Sequence, residues 1–184
     1  MVTIRRAVRS DFAAITRLMC WAAEETAATF AASGDSETTW IARWEATRDQ
    51  YPWFVAEDDG VFAGFATAGP YRTREAYAWT VESSVYVHPD HHRRGIARGL
   101  YERLIDTLRR QGYHTLVACL SVPNEASEAL HDSLGMKKVG VLARMGWKFE
   151  QFYDVAFYLL LLQPTQEEDR PLTIRRISEL LEGE

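Results

Sequence analysis

Two cysteines in 184 residues, Cys20 and Cys119, exclude a small disulfide-stapled scaffold. Cys20 falls in a helical apolar pattern and Cys119 in a strand-like one, so both read as small core residues. Positive charge is also scarce. Lys and Arg number 21 against 26 Asp and Glu, a net charge of −5, which argues against a general nucleic-acid surface. Long apolar runs are missing: the longest, Val155 to Leu162, is far too short to span a bilayer. The opening Met1-Val2-Thr3-Ile4-Arg5 is charged at once and reads as no secretory leader, so a soluble, cytoplasmic protein is expected. His91-His92 has no carboxylate cluster beside it, and no metal site is expected. There are no repeats. What is plentiful is apolar material, 47% of the chain, enough for one core at this length.

Along the chain, Thr3 to Ala7 reads as an edge strand. Ser10 can cap a helix from Asp11 to Glu25, with Phe12, Ile15, Leu18, Met19 and Ala22 at helical spacing. Thr26 to Gly34 reads as a loop around Phe30. Ser36 caps a second helix, Glu37 to Asp49, which Pro52 stops. Trp53–Glu57 and Val61–Ala68 form a hairpin on Asp58-Asp59-Gly60, with Gly69-Pro70 breaking the second strand. After a polar loop, Tyr71 to Ala76, the pattern gives a strand from Trp79 to Val87 and a helix from Gly95. A strand at Thr115–Ser121, a short helix at Glu125–Leu134, and strands at Lys137–Met145 and Phe152–Leu162 follow. The crossover helix implies a parallel strand pair, hence an α/β layout. The tail from Gln163, with Pro164, Pro171 and an acidic cluster, reads as a flexible linker with a possible short amphipathic helix.

The chain is organised around the stretch from Trp79 to Tyr101. Pro89 ends its strand, His91-His92-Arg93-Arg94 form a basic turn, and Gly95 opens a helix with Ile96, Leu100, Leu104 and Leu108 on one face. The first amides of a helix are unpaired and sit at the positive end of its dipole, so this turn is suited to an anion. Gly95 and Ala97 leave the backbone approachable, and Arg93, Arg94 and Arg98 add charged donors. A solvated turn capping an ordinary helix is the bland alternative. Glu82 stands in an otherwise apolar strand, which is costly unless it is paired or faces a cleft.

This run resembles the acyl-CoA-binding motif of the GNAT superfamily of N-acetyltransferases, usually Gln/Arg-x-x-Gly-x-Gly/Ala, with His92 at its first position. Thr80-Val81-Glu82-Ser83-Ser84-Val85-Tyr86-Val87-His88-Pro89 is similar to the phosphinothricin acetyltransferase branch. Tyr51 to Glu57, Ala68-Gly69-Pro70 and Gly146-Trp147-Lys148-Phe149 strengthen the likeness, which covers residues 2 to 162. The resemblance implies one domain, residues 1–162, with a GNAT fold of about seven strands and about four helices. It implies acetyl-CoA as cosubstrate, coenzyme A as product, a small-molecule amine acceptor of the phosphinothricin, methionine sulfone or methionine sulfoximine type, and a homodimer. Another amine, such as a polyamine or a protein terminus, is the alternative acceptor; an acyl-CoA-binding sensor is the rival class.

By the same resemblance, Glu82 is the general base, directly or through water. Backbone groups of Val85, Tyr86 and Val87 pair with the pantetheine arm, and the Val85 N–H meets the oxyanion. Arg93, Arg94, Gly95, Ile96, Ala97 and Arg98 hold the pyrophosphate. Asn124, an N-cap by position, also reaches the pantetheine, and Ser133 a phosphate. His131, two turns from Asn124 on one face, is either structural or the acid that protonates the leaving thiolate. The loop Arg72, Glu75, Ala76 and Tyr77 borders the acceptor, with Arg72 on its carboxylate; Phe30, Lys148 and Phe149 are further lining residues.

Overall fold

The computed structural model describes residues 1–163 and 170–181. Within them lie strands β1 (Val2–Arg6), β2 (Trp53–Asp58), β3 (Val61–Pro70), β4 (Thr80–Val87), β5 (Thr115–Val122), β6 (Lys137–Lys148) and β7 (Gln151–Leu161). The helices are α1 (Phe12–Glu25), α2 (Glu37–Thr47), α3 (Ile96–Gln111), α4 (Glu125–Ser133) and α5 (Ile177–Leu181). The seven strands form one mixed sheet in the order β1-β2-β3-β4-β5-β7-β6, and β4–β5 is its parallel pair.

Strand β2 and the middle of β3 are buried on both faces, so this part of the sheet is the middle of three layers. The α3 face packs Ile96, Leu100, Leu104 and Leu108 on Val81, Leu116, Ala118 and Tyr158. On the other face, α1 and α2 set Phe12, Ile15, Leu18, Trp40 and Trp44 against Trp53, Val55 and Phe65. The aromatics interlock, with Phe12 and Trp44 ring centroids 5.2 Å apart and Trp40 edge-on to Phe65 at 6.1 Å.

Four local expectations change. Ser10 does not cap α1; a 3₁₀ turn, Arg9–Asp11, precedes the helix, and the buried Asp11 carboxylate instead accepts from the Val8 N–H at 2.7 Å and from Arg5 at 2.7 and 2.8 Å. Gly69-Pro70 does not break β3, because Pro70 occupies its last rung, opposite Val81, where its fixed φ suits an extended chain. β6 runs on to Lys148 rather than ending at Met145, since register shifts let it follow β7 from Leu159 back to Gln151. The tail was expected to be loose, but residues 170–181 are docked. The Arg175 N–H donates to Gln111 O at 2.8 Å, Ile177 N–H to Asp49 O at 2.8 Å, and Trp79 Nε1 to Leu172 O at 2.7 Å. The amphipathic helix is α5, with Ile177 and Leu180 buried. Pro164 and the acidic cluster after it lie outside the described residues.

Candidate active site

The ladder between β4 and β5 has three rungs, Thr80–Thr115, Val81–Leu116 and Glu82–Val117. Beyond them the strands part. Residues 83–87 keep their pairing with β3 on one side, and residues 118–122 keep theirs with β7. Two inner edges of unladdered backbone therefore face each other across a gap, a shape that accepts an extended chain carrying its own amides.

Alternation along β4 divides its side chains. Val81, Val85 and Val87 pack on the α3 face. Glu82, Ser84 and Tyr86 face the opposite side and line a cavity of about 390 Å³ with Trp40, Arg43 and Tyr51. Glu82 is thus the first residue where the ladder ends and a wall of the cavity at once. Burial pushes its pKa up, and a Cys119 hydrogen bond only partly opposes that. The Cys119 thiol is itself pushed up to about 12, by burial and then by Glu82. A carboxylate raised in this way takes a proton more readily than an ordinary one.

At the far end of the gap lies the basic turn, in a shape that could seat an anion. Gly95 is left-handed, φ 77°, and an added Cβ there would meet nothing within 4 Å. Arg93 also has positive φ, 61°. His92 Nε2 lies 3.0 Å from Val87 O and ties the turn to the strand that feeds it. Ile96 is buried at the helix start and Ala97 half-buried beside it. Arg98 reaches Glu102 at 3.0 Å and Ser133 O at 3.3 Å, while the Ser133 hydroxyl donates to Leu130 O. Arg94 is not directed at the seat: it pairs with the buried Asp58, which His91 Nδ1 also meets at 3.2 Å. Both side chains tether the turn to the end of β2. Asn124 caps α4, its Oδ1 accepting from the Ser127 N–H at 3.2 Å.

His131 is buried in a hydrogen-bonded chain. Its Nδ1 lies 2.6 Å from Ser127 O, which can only accept, so Nδ1 carries the hydrogen and Nε2 accepts from Tyr101 Oη at 2.8 Å. Tyr101 Oη lies 3.3 Å from Ser83 Oγ, one residue past the last rung. Burial pushes the imidazole below its ordinary range, which keeps it neutral. In this state it is an acceptor without a proton to give from Nε2.

The expected acceptor residues separate. Arg72 is exposed, its guanidinium 5.2 Å from the Tyr71 ring centroid, on the loop that continues β3 rather than in the cavity wall. Glu75, Ala76 and Tyr77 form an exposed 3₁₀ turn. Lys148 is nearly buried and donates to Thr26 O at 2.8 Å and Thr29 O at 2.7 Å. Phe30 rests on Gly146, and Phe149 is half-exposed. The cavity wall instead brings in Asp35, Arg43, Trp40 and Tyr51, which sequence reading left out. Arg43 donates to Asp35 at 3.0 Å and lies over Trp40 at 4.5 Å. The only trace in the sequence is Trp40 and Arg43 at i, i+3 on a helix. Among the described residues no cluster of three or more His, Cys, Asp or Glu could hold a metal, and no helix is long and apolar enough to cross a membrane.

The acetyltransferase (GNAT) family model matches residues 15–136. The chain belongs to this family. Within it, the chain is 40% identical over 157 residues to a phosphinothricin N-acetyltransferase of Streptomyces viridochromogenes, covering 85% of this chain and 86% of that one. It is also 40% identical over 162 residues to the L-methionine sulfoximine/L-methionine sulfone acetyltransferase of Salmonella typhimurium, covering 88% and 95%. An acetyltransferase structure from Salmonella typhimurium, solved with its cofactor acetyl-CoA, superposes with a TM-score of 0.88 at 38% identity, over 92% of this chain and 98% of that chain. The chain is therefore a GNAT acetyl-CoA-dependent N-acetyltransferase of the phosphinothricin acetyltransferase-like branch. Its features fit the cosubstrate: the open Gly95 seat suits a pyrophosphate, and the unladdered edges suit the amides of a pantetheine arm.

Proposed function

We propose that this acetyltransferase acts on the α-amino group of a small amino acid whose side chain ends in oxygen acceptors, as in phosphinothricin, methionine sulfone or methionine sulfoximine. The observation that carries this reading is Glu82, placed where the β4–β5 ladder stops and in the wall of an aromatic-lined cavity of about 390 Å³. A base is needed there because only a neutral amine attacks a thioester. The names of the relatives support the acceptor class.

The roles follow from position. Backbone of Val85, Tyr86 and Val87, with Asn124, holds the pantetheine arm, and Arg93, Gly95, Ile96, Ala97 and Arg98 hold the pyrophosphate, with Ser133 bordering that end. Arg94 acts through Asp58 by fixing the turn. The amine, relieved of its proton by Glu82 directly or through water, attacks the acetyl carbonyl while the Val85 N–H meets the growing oxyanion. The C–N bond forms, the C–S bond breaks, and the departing thiolate takes up, directly or through water, the second proton that the newly acylated nitrogen sheds, so that coenzyme A leaves as the thiol. His131 orients the Tyr101 hydroxyl beside the gap. Arg72, Glu75, Ala76 and Tyr77 border the entrance, where Arg72 can fork onto a carboxylate. Phe30 and Lys148 shape the cavity through the loop they hold. We also read the enzyme as a cytoplasmic homodimer. The edge strand β6 supports the dimer, since its Val139, Val141, Leu142, Met145 and Trp147 are all exposed.

Thiol release from acetyl-CoA with pure protein, screened over amino-acid analogues, polyamines and aminoglycosides, tests the reading. Fast release with methionine sulfone or phosphinothricin is expected. Preference for a polyamine overturns the acceptor, and binding of acetyl-CoA with no acceptor-dependent release overturns the enzyme in favour of a sensor.

A further inference from the structure

The loop between α1 and α2 presents four consecutive carbonyls, Thr26 to Thr29, to side chains of the sheet. Lys148 Nζ on β6 takes the first and the last, at 2.8 and 2.7 Å. Ser121 Oγ on β5 donates to Ala27 O at 2.6 Å. Tyr86 Oη on β4 donates to Ala28 O at 3.4 Å. Phe30 then seats on Gly146, where an added Cβ would come within 2.3 Å of its ring. A surface loop ordinarily satisfies its carbonyls with water. Here a nearly buried ammonium is spent on two neutral carbonyls, and burial lowers its pKa, which a merely structural loop does not require.

The donors come from both strands that part. Beyond Glu82 and Val117 no backbone ladder joins β4 to β5, yet Ser121 and Tyr86 are joined through the adjacent carbonyls of Ala27 and Ala28. The loop is a cross-brace over the gap. It also supplies Thr29, Ala31, Ser33 and Asp35 to the cavity wall. One short segment thus touches both the strand gap and the acceptor cavity.

Resting on the acetyltransferase reading above, we propose that Lys148 and Ser121 are positioning residues that brace this loop, and that the brace couples the two sites. An amine seated in the cavity presses on Thr29 to Asp35, fixes Ala27 and Ala28, and so fixes the width of the gap that receives the pantetheine arm. By linkage, the effect is reciprocal: each ligand tightens the other by the same factor.

Coenzyme A with an acceptor amine is a pair that cannot react, so coupling is measurable at equilibrium. Calorimetric Kd values for coenzyme A are compared without and with saturating acceptor, using methionine sulfone or whichever amine supports thiol release. The wild type should show tightening of roughly tenfold, within the usual range of such couplings. Lys148→Met and Ser121→Ala should bring that factor close to one. Ser121→Ala should leave the Kd for coenzyme A alone within about threefold and raise the acceptor KM more than it lowers kcat. If Lys148→Met fails to fold, Ser121→Ala and Gly146→Ala, which displaces Phe30, carry the test. Turnover with no coupling in the wild type, or full coupling in Ser121→Ala and Gly146→Ala, overturns the brace and leaves the acetyltransferase standing. No binding of coenzyme A at all overturns both.

Discussion

Burial raises the pKa of Glu82, so the charged form is the disfavoured one in the fold. A group with a raised pKa contributes most below the ordinary glutamate range, and that contribution is lost as pH rises through the raised value. Glu82→Gln should therefore match the wild type in Tm near pH 4 and exceed it near pH 8, while kcat falls severely and recovers in part at high pH, where free amine is supplied by solvent. Thermal scans and kcat/KM against pH check both halves; a Gln variant with the wild-type acidic limb and rate would remove Glu82 from the base role. His131→Ala should be milder, on the order of tenfold in kcat, and should keep the alkaline limb, since a neutral Nε2 acceptor donates no proton. Loss of that limb would make His131 the acid after all. Arg43 is the guanidinium in the cavity wall, and we propose that it meets the acceptor's distal oxygens, which gives a third test. Arg43→Met should raise KM for phosphinothricin or methionine sulfone by roughly ten- to a hundredfold, as expected for losing a charged hydrogen bond of about 1.5–3 kcal/mol, and should spare methionine itself. Equal losses on both would show that Arg43 does not read the distal oxygens. A lone charge in an apolar strand marked Glu82 as needing a partner or a cleft, and only the family resemblance offered it as a base; its place in the cavity wall supplies the cleft. Arg43 was not legible, because nothing in a polar helix says which sheet face it will cover.

The element most legible in the sequence was the strand–turn–helix from Thr80 to Gln111, whose boundaries follow from Pro89, Gly95 and Gly112. Both glycines are left-handed, φ 77° and 94°, which only glycine adopts freely. Gly95→Val should weaken coenzyme A binding by more than tenfold, about 1.4 kcal/mol or more. Part of any stability loss there is backbone strain, on the order of 1–2 kcal/mol. Gly135, φ 79° and equally open, isolates that part: Gly135→Val should bear the strain and bind normally. Equal affinity in the two variants would dismiss the anion seat. What the sequence could not give was how a turn's charges are shared. Arg93, Arg94 and Arg98 look alike in a string, yet Arg94 pairs with Asp58 from a strand some thirty-six positions earlier.

At the scale of the whole molecule, the order of strands and helices was readable, and the docking of the tail was not. Its polar contacts run through tail backbone groups, to the Asp49 and Gln111 carbonyls and to the Asp49, Gln111 and Trp79 side chains, so they leave no signal in the tail's own sequence. Ile177 and Leu180 are both buried, each worth up to about 1.5–3 kcal/mol. Ending the chain after Gln163 should lower Tm by roughly 5–15 °C. The segment also holds Trp79, directly before β4, through Leu172 O. Trp79→Phe should therefore disturb acceptor KM more than the Kd for coenzyme A. An unchanged Tm on truncation would mean that the tail is not part of the folded unit.

Among the described residues, three rungs make up the whole backbone ladder between β1–β4 and β5–β7–β6 along the parallel seam. Mechanically the sheet is two leaves sharing a short spine, and a ligand lying in the seam supplies the missing stitches. Amides of residues 83–87 and 118–122 that face the seam should exchange with deuterium quickly in the free enzyme, unlike their neighbours bonded outward to β3 and β7, and slow markedly once acetyl-CoA is added. Substrate would then be, for as long as it stays, the strand that makes the two leaves one.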